Sequence, residues 1–373
     1  MEKKCLIVDF GSGYSKAGYS GYINPVVTIP TAVWHPHSNN MITTDDESSL
    51  LFGNKAIEAE NGILIHPIQK TKIIEWDDFE YYLNNLYKNE LKIKPEEYGI
   101  FVTEPPLTLK SSRERLAQLL FERFNCPYIF ITNGAVLASY GAVKYSGFVL
   151  DCGYDSSTIV PVSIGYPYSS YIQTMDVGGK DVSDFLIKLL VKKGYDEKKI
   201  KKNIKYIKEK YCYVENDNDK KNKEIKFNLP DGTEINMDKE RTLCSEVLFH
   251  PEMINKTVGG IANTFCSCVS MCDQYTKKKF EGDNLIIAGG PTLFEGFIDR
   301  LKVEIGKYYG GKYKDRMNII NIKERYNLQW IGASTYTLTH IFKGLCTTRE
   351  EYNDYGVVAV HNKCFYSIVK IFK

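Results

Sequence analysis

Leu6 to Tyr19 reads LIVDFGSGYSKAGY: an apolar run ending on Asp9, a turn of Gly11, Ser12 and Gly13, then a second strand carrying Lys16. Glycines in such a turn let backbone amides come close to an anion, Lys16 adds a positive charge, and Asp9 is suited to holding a hydrated magnesium ion. The pattern reads as a phosphate hairpin. A second copy follows, because Phe148 to Val162 reads FVLDCGYDSSTIVPV. Asp9, Gly11 and Ser15 in the first copy correspond to Asp151, Gly153 and Ser157 in the second. One hairpin alone is a weak signal. Two, each opening a similar succession of elements, predict a duplicated domain with a ligand clamped between the halves.

Outward from the first hairpin, Val26 to Pro30 supplies a third strand. Thr31 to Asn61 then loses periodicity and carries SNNMITTDDESS, a polar tract expected to form an exposed loop. Trp76 to Lys92 is amphipathic and Ile100 to Thr103 is a short strand. Ser111 with Glu114 spells a capping box for a helix reaching Asn125. Tyr128 to Thr132 is a strand, followed by a small-residue helix from Gly134 to Lys144. From Phe148 the order repeats. Three strands run to Asp176, a helix covers Lys180 to Lys193, and a lysine-rich helix sets Ile200, Ile204, Ile207 and Tyr211 on one face. LPDG at 229 to 232 is a turn and Glu252 to Lys277 is expected to be largely helical. Strand Leu285 to Ala288, helix Phe294 to Tyr308, strand Ile319 to Ile322 and helix Gln329 to Phe342 complete the second half. Strands alternating with helices predict α/β sheets with the ligand at the carboxyl ends of the strands.

The chain has 373 residues, enough for two domains, and its 43% hydrophobic and 25% charged content is that of a soluble globular protein. A formal net charge of +2 gives no global attraction to nucleic acid or to an anionic membrane. Ten cysteines are too scattered for a disulfide scaffold, and Cys266, Cys268 and Cys272 lack the pairing of a zinc site. Buried free thiols in a reducing compartment are expected. MEKK leads straight into a core strand, and no apolar run is long enough to span a bilayer, so an intracellular protein is expected.

Paired hairpins of this kind recur in sugar kinases, in one class of chaperones and in actins. WDDFEYYLNNLYKNELKIKPEEYGIFVTEPPL, IKEKYCYV, LPDG, AGGPTLFEGFIDRL, ERYNLQWIGAS and the late HNKCF resemble actin and the actin-related proteins, in order and over nearly the whole length. The resemblance implies the duplicated actin-like ATPase fold, related to ribonuclease H: two large domains around a central cleft, each with an inserted subdomain. It places the first domain at 1–141 and 328–373, with an insertion at 31–66, and the second at 142–327, with an insertion at 178–258.

Carried over residue by residue, the resemblance implies ATP or ADP as ligand. Gly11, Ser12, Gly13, Tyr14 and Lys16 would contact the phosphates from the first hairpin, and Gly153 and Ser157 from the second. Asp9 and Asp151 would surround magnesium through water. Gly179, Lys205, Lys208, Glu209, Gly289, Gly290, Thr292 and Leu293 would line the nucleoside site, and Tyr326 would stack on the base or fill the gap beside it.

The departures from the family pattern carry as much information. Its second hairpin has a small-residue turn with Asp, Gly and, further on, His, where this chain has Tyr154, Asp155 and Thr158. Tyr154 and Asp155 obstruct amide approach to phosphate, and the Asp155 carboxylate repels it. The family's water-orienting glutamine is replaced by Gly134. Filament-contact positions also change: Met41 and Ile42 stand alone as apolar neighbours in a polar loop, Thr335, Tyr336 and Thr339 make the receiving cleft more polar beside a retained Tyr140, and Lys256 interrupts MINKTV. The expectation is a divergent actin-like protein that binds nucleotide as a structural ligand or conformational switch, with weak or absent hydrolysis. Its expected partners are actin or other actin-related subunits of a cytoplasmic, cytoskeletal assembly, without homopolymer formation, direct nucleic-acid binding or membrane insertion. The alternatives are a filament-forming ATPase, a nuclear subunit of a chromatin-remodelling complex, and a small-molecule phosphotransferase.

Overall fold

A computed structural model describes residues 4–37, 50–215, 224–274, 284–309 and 318–363. Two sheets dominate it. In the first, Lys4–Phe10 pairs antiparallel with Tyr14–Tyr19 and parallel with Tyr98–Glu104. Val27–Pro30 extends the hairpin edge, while Tyr128–Asn133 and the short Thr347–Thr348 extend the other. In the second, Ser146–Cys152 pairs antiparallel with Ser157–Ser163 and parallel with Asn284–Ala288, which in turn pairs with Asn318–Ile320. Gln173–Met175 pairs antiparallel with Ser157–Ser163, as Val27–Pro30 does with its own hairpin. The repeated order expected from the two hairpins is therefore present in the strand pairing, and the fold is the duplicated α/β arrangement that the resemblance implies.

The central strands read as continuous apolar runs because both faces are covered. Leu6, Val8, Ile100 and Val102 turn to one side with Phe79, Leu83, Leu120 and Phe121. Ile7, Phe101 and Phe130 turn to the other, sharing a core with Val149, Val160 and Ile286 of the second sheet. Two helices, Gly134–Gly141 and Leu328–Thr337, occupy this shared core. Their small residues have a steric reason: a Cβ at Gly332 would run into the Leu137 carbonyl, and one at Gly141 would meet the Leu328 carbonyl oxygen at 2.5 Å. Close backbone approach is what glycine permits here. Asn133 caps the first of these helices, its side chain accepting from the Ala135 amide at 2.8 Å.

Several local expectations are corrected. Thr31 to Asn61 is not one exposed loop: Val33–Pro36 lies between Leu51–Phe52 and Gly62–Ile65 in a small sheet, with helix Gly53–Glu58 attached. Short β-branched and aromatic runs form it, and residues 38–49, including Met41 and Ile42, lie outside the described residues. The Ser111 and Glu114 capping box does not form, because helix Lys110–Gln118 already starts before Ser111. The described part of Glu252 to Lys277, which ends at 274, is two pieces: a single tight turn at Pro251–Ile254, ended by left-handed Asn255, and helix Ile261–Met271. Ile200 and Ile207 are buried, as the periodicity of helix Glu197–Tyr211 predicts, with Ile204 and Tyr211 partly covered. The described cysteines are free and buried.

Candidate functional site

The two hairpins close by the same bond. The Gly11 amide donates to the Tyr14 carbonyl at 3.2 Å, and the Gly153 amide donates to the Ser156 carbonyl at 2.9 Å. Across each hairpin the acidic residue meets the same partner position, Asp9 facing Lys16 and Asp151 facing Thr158. The serines that also correspond serve the fold. Ser15 bonds Thr31 at 2.8 Å, and Ser157, fully buried, donates to the Val177 carbonyl at 2.8 Å.

Between the hairpins lies a cavity of about 710 Å³. It is lined by Asp9, Gly11, Ser12, Gly13, Tyr14, Lys16, Asp151, Gly153, Gly179, Lys205, Lys208, Glu209, Gly289, Gly290, Leu293 and Tyr326. Gly134, Tyr154 and Thr158 are on its wall as well. Two expected contacts do not reach it. Ser157 is held in the core as described, and Thr292 is buried beneath Arg325, which donates to its Oγ1 at 3.1 Å and to its carbonyl at 2.8 Å. Arg325 also lines the cavity, and nothing in its sequence context marked it.

Lys16 reaches across the cavity floor, donating to Asp9 Oδ2 at 3.1 Å and to the Tyr326 carbonyl at 2.7 Å. Thr103 donates to the other Asp9 oxygen at 2.5 Å. Asp151 receives the Gln329 amide at 2.7 Å. Burial pushes the Asp151 carboxyl up to about 6, with Lys16 opposing the rise and Asp9 adding to it. Two carboxylates lining one cavity, one of them bonded to a lysine, form an electrostatic arrangement that a hydrated divalent ion would relieve. Gly289 is required where it stands, at φ +95°, because a Cβ there would meet the Cys152 carbonyl and come within 2.8 Å of Asp151. Gly290, by contrast, has nothing within 4 Å of its Cβ direction and leaves the cavity open.

Elsewhere on the cavity lining, Lys205 sits 4.2 Å from the centre of the Tyr14 ring, a cation–π contact. Lys208 is turned inward, donating to the Gly179 carbonyl at 2.9 Å and to Ser183 at 2.8 Å, and burial lowers its pKa. Tyr326 keeps 41% of its surface exposed. The second hairpin is crowded as expected. A Cβ at Gly13 would meet the Tyr154 ring at 2.5 Å, so the tyrosine lies directly on the first hairpin's glycine, and burial pushes its hydroxyl up to about 12.

Residues 1–365 match the family model described as Actin. The chain belongs to the actin family. Among curated actin-family relatives, human Actin-like protein 7A is 32% identical over 97% of this chain and 84% of the relative. The rat Actin-like protein 7A is 31% identical over 97% of this chain and 83% of its own length, and the bovine protein is 32% identical over 97% and 84%. Actin-family membership implies nucleotide binding. The cavity fits such a ligand in its glycine lining, its two aspartates and the lysine bonded to one of them.

Within this actin-family cleft, sequence reasoning missed Gln329. The Gly134 position has no side chain of its own, yet the space a Cβ would enter is taken by the Gln329 amide. The signal was a glutamine within ERYNLQWIGAS, indistinguishable by pattern from a surface polar residue on an amphipathic helix. The filament-contact positions are also redistributed. Thr335 and Thr339 are exposed, but Tyr336 is buried, its ring stacked on Phe130 at 5.7 Å, and so offers no polar surface. Lys256 is folded back, donating to Asp181 at 2.6 Å and to the Asp176 carbonyl.

Proposed function

We propose that this actin-related protein binds an adenine nucleotide with magnesium in the cleft between its hairpins and uses it as a structural ligand that fixes the angle between two domains. The domains would be 1–141 with 328–373, and 142–327. The observation that carries the reading is the floor itself: Asp9, bonded to Lys16 at 3.1 Å, and Asp151 line one cavity together with the glycines of both turns. Asp9 and Asp151 would hold magnesium through water, which would neutralise phosphate charge. Lys16 and the Gly11 to Tyr14 turn would hold the phosphates. Lys205, Glu209, Gly290, Leu293 and Tyr326 would surround the nucleoside.

Turnover would be slow. Thr158 cannot act as a base near neutral pH, and the Gln329 amide is engaged with Asp151. Binding energy directed at the closed form shifts the domain equilibrium without chemistry. The protein would act in the cytoplasm as a subunit or modulator of a cytoskeletal, actin-containing assembly, with actin or actin-related partners and no direct nucleic-acid contact. Among the described residues no helix is long and apolar enough to cross a membrane. The test is the company the native protein keeps: co-purification with actin or actin-related proteins supports the assignment, and recovery only as a homopolymer contradicts it.

A further inference from the structure

The two hairpin tips are joined by a carboxylate. Ser12, between the glycines of the first turn, donates its hydroxyl to Asp155 Oδ1 of the second at 2.8 Å. Ser156 donates to the same oxygen at 3.3 Å. The other oxygen, Oδ2, receives the backbone amide of Lys70 at 2.7 Å. Lys70 and Thr71 form the turn between Ile68–Gln69 and Lys72–Ile73, both at left-handed φ, +44° and +68°, a conformation that costs energy for non-glycine residues. The Lys70 ammonium is bonded to Asp176 at 2.7 Å, its strongest charge partner, with Asp155 a weaker one. Three parts of the chain remote in sequence therefore converge on one carboxylate, which is bound by two hydroxyls and an amide. These are the donor types that bind a phosphate oxygen.

We propose that Asp155, bonded to the cavity-lining Ser12 at the edge of the cleft, is a tethered anion that takes the place of an outer phosphate and makes the site selective for a nucleoside diphosphate over a triphosphate. This rests on the reading of the cleft as a nucleotide site. A triphosphate carries an added negative group outward from the turn, where Asp155 already holds the Ser12 hydroxyl. To bind, the triphosphate must displace the carboxylate or accept its charge at close range. A diphosphate ends short of it and keeps the bridge between the hairpins. In a partly buried site the repulsion of one added charge at several ångströms is worth on the order of ten- to hundredfold in affinity. The same bridge closes the two tips without a terminal phosphate.

The experiment is calorimetry on nucleotide-free full-length protein with excess magnesium, titrating ADP and a non-hydrolysable ATP analogue into wild type, Asp155→Asn and Asp155→Gly. The expected result is wild type binding ADP about ten- to hundredfold more tightly than the analogue, with the ratio falling toward unity in both variants. Asp155→Asn removes the charge and keeps an acceptor oxygen for Ser12, giving up the bond from the Lys70 amide, whereas Asp155→Gly removes every side-chain contact, so a ratio that moves alike in both variants reports the charge. Nucleotide binding with no preference for ADP in wild type, or with the same ratio in all three proteins, overturns the proposal and leaves the nucleotide reading standing. Failure of every protein to bind either nucleotide overturns both.

Discussion

Gln329 fills the space beside Gly134: a Cβ on the glycine would overlap the glutamine amide, which is bonded to Asp151 at 2.7 Å. The two positions lie on separate helices of the shared core, so the pair couples elements far apart in sequence.

Gly134→Gln alone should therefore destabilise the protein, since overpacking a fitted core costs about 1–3 kcal/mol. Gln329→Ala added to it should recover most of the loss, giving a coupling of similar size in a double-mutant cycle. Thermal or urea denaturation of the four proteins measures it. Additive effects would show that the two side chains do not compete for one space.

Arg113 is buried against Glu104, donating from Nε at 2.8 Å and from a terminal nitrogen at 2.5 Å. Burial raises the Glu104 pKa and Arg113 restrains the rise. Arg113→Met, which strands the carboxylate, should cost about 3–5 kcal/mol, while Arg113→Met with Glu104→Leu should cost much less. Urea unfolding decides between this and a weak surface-type pair.

His66 is part-buried, bonded to the Thr31 carbonyl at 3.0 Å and lying 5.8 Å from the Tyr154 ring. Burial lowers its pKa from the ordinary 6.5. Above that value neither folded nor unfolded chain holds the proton. Below it the unfolded chain binds more, so this contribution to stability is lost as pH falls from 6.5 through the folded value. His66→Gln should flatten the stability profile in that window. An unchanged profile would assign the acid sensitivity to other groups.

Purified protein should stay monomeric under conditions that polymerise actin. Thr335 and Thr339 present polar surface, and Lys256 pins the loop at 253–258 to Asp181. Without apolar complementarity the entropy of association is not offset. Light scattering with magnesium and salt tests this, and regular filaments of this protein alone would contradict it.

The hairpins and the alternating strands were legible because Asp9, Gly11, Asp151 and Gly153 each answer a local requirement of backbone or charge. The small-residue helices were legible as helices, though not as the crossing that Gly141 and Gly332 permit. Ser157 and Thr292 were misplaced because a hydroxyl beside a turn looks the same whether it faces ligand or core. Gln329, Arg325 and the Ser12 to Asp155 bridge were invisible because each depends on a partner far away in sequence. Lys256 read as an interruption of an exposed loop, when its charge is spent inside the molecule.

The most direct test of the central claim is magnesium-dependent binding of adenine nucleotide by wild type and Lys16→Ala, measured by calorimetry, with circular dichroism to confirm that both are folded. Lys16 lies at the floor between Asp9 and the Tyr326 carbonyl. Loss of a charge-assisted contact to phosphate should weaken affinity about ten- to hundredfold. That result would support the cleft as the nucleotide site. Identical affinities in the two folded proteins, or no binding by wild type, would contradict it.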